Sequence, residues 1–71
     1  MELSRHAKNK LRSLPVTQWE VEAMISDPDA IERDEDGNPL YLGSVRGTPI
    51  CAVVALDEPD LIVTIFRRER W

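Results

Sequence analysis

One cysteine, one histidine and three glycines in 71 residues leave little with which to staple a small protein or build a familiar catalytic motif. The lone Cys51 excludes an internal disulfide, and no cluster of Cys and His is present to hold a structural zinc. Glycine is too sparse for a phosphate-cradling loop or a nucleophile elbow. No apolar run reaches the ~18 residues that cross a bilayer, and the N-terminus lacks the apolar stretch of a signal peptide, so a cytoplasmic protein without membrane contact is expected. Positive charge is also scarce. Nine Lys and Arg face 13 Asp and Glu, a net charge of −4, which excludes a general nucleic-acid coat. What remains, 42% apolar and 31% charged, describes one small globular domain spanning residues 1–71. A chain this short buries only about 60% of its unfolded surface, so association often completes its core.

The charge is uneven along the chain. Residues 1–13 carry +3 (Arg5, Lys8, Lys10 and Arg12 against Glu2), residues 14–36 carry −7, and residues 67–71 carry +2. Basic ends therefore flank an acidic middle, and RNA contact would require those ends to converge.

Ser4 reads as an N-cap for a first helix over Arg5–Leu14, with Ala7, Leu11 and Leu14 at near-helical spacing and Pro15 as its stop. Thr17 opens a second helix, which ends near Ser26. Glu20 completes a capping box, and Val16 with Val21 forms a hydrophobic staple. Trp19 lies off the apolar stripe of Val21, Met24 and Ile25, which makes it a cover over the helix junction or, failing that, an anchor for a partner. From Ala30 the pattern turns extended: Ala30–Arg33, Leu40–Val45, Pro49–Leu56 and Leu61–Phe66 read as strands separated by turn residues. The expected fold class is α+β, two N-terminal helices on one face of a four-stranded antiparallel sheet, with the third strand central because its apolar run is unbroken.

Two helices cover one face only. With Ile50, Ala52, Val54, Leu61, Val63 and Ile65 beneath them, Cys51, Val53, Ile62 and Phe66 face the other way. Val53, Ile62 and Phe66 then become candidates for contact with a second copy or another protein.

The chemistry on offer is thin. Glu32 to Gly37 imitates the start of a calcium loop, but the twelfth position is Gly43 where a bidentate carboxylate is required, so no metal is assigned. Cys51 sits in the most apolar run, where a thiol packs rather than reacts. His6, beside Arg5, Lys8 and Lys10, is the one group suited to proton transfer at neutral pH; its alternative role is packing at the junction of helix and sheet.

Ser4-Arg5-His6-Ala7, Leu14-Pro15-Val16-Thr17, Asp27-Pro28, Asp36-Gly37 with Tyr41, and Ile62-Val63-Thr64-Ile65 together resemble a family of small bacterial and phage domains of unknown function related to RelE/ParE-like toxins. The resemblance runs from Leu3 to Arg68. It implies two helices on an antiparallel sheet and, in the wider superfamily shared with barnase and colicin-type ribonucleases, metal-free RNA cleavage without a cofactor. His6 matches the helix-opening histidine of that pattern, and Arg46 and Arg67 are the cations that residue type and place offer for phosphate charge. The acidic balance departs from such toxins, and no second acid–base group is evident. The expected function is accordingly non-catalytic protein binding, as a homodimer or with a partner protein. The alternatives are a metal-free endoribonuclease toxin acting on RNA, and a phage or mobile-element inhibitor of a host factor that mimics nucleic-acid charge.

Overall fold

The structure is a computed structural model and describes residues 1–68. The end of the basic tail, residues 69–71, lies outside the described residues. In chain order the elements are β1 (Glu2–Leu3), α1 (Arg5–Arg12), α2 (Gln18–Ser26), β2 (Ala30–Arg33), β3 (Pro39–Val45), β4 (Thr48–Val54) and β5 (Leu61–Arg67). The strands form one sheet in the order β1-β5-β4-β3-β2. This corrects the four-stranded antiparallel expectation: the sheet has five strands and is mixed, because β1 pairs with β5 in parallel while the other pairs are antiparallel. Two residues are too few to show a period of two. The strand exists through its partner, with Glu2 N–H donating to Asp60 O at 2.8 Å and Ser4 N–H to Ile62 O at 3.0 Å.

Local signals set the helix ends. Ser4 Oγ accepts from Ala7 N–H at 3.0 Å and donates to Val63 O at 2.6 Å, so a single hydroxyl caps α1 and ties it to β5. The helix stops at Arg12, two residues earlier than its spacing predicts. Ser13 and Leu14 instead donate to Lys10 O and Leu11 O in tight three-residue turns before Pro15. At α2 both halves of the capping box form, Glu20 N–H to Thr17 Oγ1 and Thr17 N–H to Glu20 Oε1, a device that contributes about 1 kcal/mol.

The core lies between the helices and one sheet face: Ala7, Val16, Val21 and Met24 from above meet Ile50, Ala52, Val54, Ile62 and Ile65 from below. α1 packs on β5, and α2 packs on β3. The latter approach requires Gly43, since a Cβ there would stand 2.5 Å from Met24 Cγ.

β5 does not keep a simple alternation. Val53 opposes Thr64 but Val54 opposes Ile62, so a bulge leaves Val63 between the two pairs. The phase of β5 reverses at that point. Ile62, expected to face away, is fully buried beneath the helices, while Val63, expected in the core, is half-buried. On the opposite face the register aligns Leu42, Cys51 and Phe66 in one row and Leu40, Val53 and Thr64 in the next. Leu42, Cys51 and Val53 are buried in the single chain, and Leu40 and Phe66 are half-buried at the margin. No helix among the described residues is long and apolar enough to cross a membrane.

Candidate functional site

The three groups selected for proton transfer and phosphate charge do not assemble in one place. His6 is exposed in the first turn of α1, and its N-cap is held at Ile62 and Val63, near the start of β5. Arg67 pairs with Ile50 at the other end of that strand. The four residues from Val63 to Arg67 cover about 13 Å at strand rise. Arg46 lies in the β3–β4 turn, with a positive φ of 50° ahead of Gly47 at 82°. Its guanidinium donates to the Glu20 carboxylate and to Pro15 O, so its charge is committed within the fold.

The acidic stretch after β2 is likewise used by the turn itself. Asp34 Oδ1 accepts from Asp36 N–H at 2.9 Å and Asn38 N–H at 2.8 Å, and Asp34 Oδ2 accepts from Asn38 Nδ2 at 3.1 Å. The Asn38 amide leads in holding this carboxyl below its ordinary pKa, with the backbone N–H groups assisting and burial opposing. Gly37, at φ 85°, completes the loop, and Asn38 Oδ1 accepts from Leu56 N–H at 3.0 Å, joining it to the β4–β5 turn.

Cys51 is fully buried at the centre of β4. Burial pushes its thiol up from 9.0 to about 11; Arg68 opposes the rise and Glu32 adds to it. The folded state thus binds the proton more tightly than the unfolded chain does. Stability from this source is complete below pH 9 and declines as pH rises toward 11. Denaturation midpoints measured through this window should fall further for the wild type than for Cys51→Ala. Alkylation of Cys51 at pH 8 should require denaturant.

The most distinctive surface lies on the outer side of α2. Trp19, expected mainly as a cover, is 71% exposed, the most exposed large apolar side chain among the described residues. Trp19 and Ala23, four residues apart, lie in one line along the helix, and Asp27 follows at its C-cap. With Met24 below them and Ser44, Val45 and Arg46 opposite, they bound an open groove of about 330 Å³. The Arg46–Glu20 contact fixes the far wall against the helix. Sequence reasoning selected Trp19 and Arg46 separately and missed that they share a groove. Glu20 concealed the link, because its role in the capping box already accounted for it, and Asp27 and Ser44 carry no signal except their position.

Of the other residues proposed for binding, Val53 is buried, Phe66 is half-buried on the face away from the helices, and Ile62 lies inside the core. Trp19 and Phe66 are therefore on different sides of the molecule.

A family model described as a domain of unknown function, DUF4258, matches residues 3–67, from β1 to the end of β5. No curated protein and no solved structure matches the chain.

Proposed function

This chain belongs to the DUF4258 family of domains of unknown function, and we propose that it is a non-catalytic protein-binding domain, akin to RelE/ParE-like toxins, whose partner seats on the Trp19 groove. The observation that carries this reading is the exposed indole beside a wall held in place by Arg46 and Glu20. Tryptophan is the side chain most enriched at binding hot spots, and here it gains almost nothing for its own fold. Burying it against a partner removes a large apolar surface from water without first dismantling any core contact. The kinship with toxins rests on the short motifs around His6, Thr17 and Ile62 and on two helices covering one face of a sheet. Ribonuclease chemistry receives less support, since it needs His6, Arg46 and Arg67 to converge, and Arg46 is occupied by Glu20 and Pro15.

The test uses a photo-crosslinking amino acid at position 19 and, as a control, at exposed Glu58 in the β4–β5 turn. Irradiation of producing cells should give a discrete protein adduct from position 19 that position 58 does not give. Adducts to RNA, or identical patterns from both positions, would overturn the reading.

A further inference from the structure

The two edges of the sheet are finished differently. One carries β1, two residues long and followed at once by the capped start of α1. The other is β2, four residues that are all exposed, with Ile31 at 56%. No proline or covering element among the described residues blunts it; its shortness and the charges of Glu32 and Arg33 limit which strand can pair there, so a partner must match those charges.

The hairpin fixes which of its backbone groups are open. Asp34 N–H donates to Asn38 O at 3.0 Å, and this bond continues the ladder in which Arg33 opposes Pro39 and Glu32 opposes Leu40. Hydrogen-bonding residues alternate along an antiparallel pair, so the even-numbered residues Ala30, Glu32 and Asp34 turn their N–H and C=O toward β3. Ile31 and Arg33 turn theirs outward.

We propose that β2 is a self-pairing edge: two copies of this chain join antiparallel through it, centred on Ile31, to make one continuous ten-stranded sheet. The register follows from side chains and charge. A two-fold axis normal to the sheet requires the paired residue numbers to sum to an even number, because a shift of one residue would set opposite faces against each other. Centring on Glu32 would place two carboxylates in direct opposition. Centring on Ile31 sets Ile31 against itself and Arg33 across from Asp29 of the second copy, twice by symmetry. In that register the Ile31 N–H of each copy reaches the Ile31 C=O of the other. The Asp29 N–H is donated to Leu42 O at 2.8 Å, so the shared backbone ladder is confined to the two Ile31 residues, and Arg33 and Asp29 are to meet through their side-chain charges. Arg33 Nη1 donates to Gly37 O of its own hairpin at 2.9 Å.

The interface is short, so the dimer is expected to be weak and concentration-dependent. It uses other residues than the Trp19 groove and can fail or hold independently of it. Sedimentation velocity over a broad concentration series, with amide hydrogen exchange at both extremes, tests it. The wild type should pass from monomer to dimer, and the Ile31 amide should gain protection as it does. Ile31→Pro, which removes an N–H that β3 does not use, should fold and remain monomeric. Asp29→Arg and Arg33→Glu alone should each weaken association by about tenfold, and the two together should restore it. A wild type that stays monomeric throughout, a dimer indifferent to Ile31→Pro, or a double variant as weak as the singles would overturn the proposal. Trp19→Glu should leave the dimer intact; its loss in that variant would also overturn the assignment to β2.

Discussion

Ile62→Ala is expected to cost about 2–5 kcal/mol, whereas Val63→Ala one residue along should cost only about 1 kcal/mol. Simple alternation along β5, with Leu61, Val63 and Ile65 inward, demands the reverse order. The bulge opposite Val53 and Val54 decides the matter by bringing Ile62 under the helices beside Val54 and Ile65. Ile62 has no exposed surface, so truncation removes its methyl groups from a packed site and leaves a cavity that α1 and β5 can close only in part. Val63 is half-buried, and part of what it loses is already contact with water. Urea midpoints at unchanged slope provide the comparison. A domain of this size has little stability in reserve, and Ile62→Ala could leave too little folded protein to titrate. Ile62→Val is then the usable variant, expected to lose about 0.5–1.5 kcal/mol. Equal costs at positions 62 and 63, or a larger one at 63, would place the phase of β5 back where alternation puts it.

That bulge also marks where the sequence stops being readable. Features that depend on a few neighbouring residues are legible in advance. Ser4 and Thr17 cap helices because a short side chain reaches an open N–H three residues on, and Asp34 to Asn38 closes a hairpin by the same local chemistry. The central place of β4 is legible too, because Ile50 to Val54 has no polar residue to turn toward water. β1 is invisible, since Glu2 and Leu3 become a strand only when Asp60 and Ile62 supply the acceptors. The reversal at Val63 is invisible for the same reason: one extra residue in a run of Leu, Ile and Val changes nothing in composition and everything in facing. The candidate site divides likewise. Trp19 stands out by residue type, but the groove exists through Arg46 reaching Glu20 and Pro15, contacts that span 26 and 31 residues.

Trp19→Ala should reduce affinity for the partner isolated by crosslinking by roughly 30-fold or more, equivalent to about 2 kcal/mol, while changing unfolding stability by no more than about 0.5 kcal/mol. The separation follows from exposure. An indole that is 71% exposed gives up little when removed from the free domain, yet loses the whole of its burial in the complex. Arg46→Ala should produce a smaller, mixed effect, because it releases the wall of the groove from Glu20 and Pro15 and so raises the cost of ordering the turn on binding. Titration calorimetry with the isolated partner, alongside urea denaturation of each variant, measures both quantities. His6→Ala and Arg67→Ala serve as the opposing arm. Neither lines the groove, so both should bind normally, and expression of wild type or either variant should leave growth and cellular RNA unchanged. Growth arrest that persists in Trp19→Ala and disappears in His6→Ala would instead identify a nuclease. Salt distinguishes the same two cases, since contact through the few cations of the chain ends should weaken steeply as salt rises and an indole-centred contact should hold.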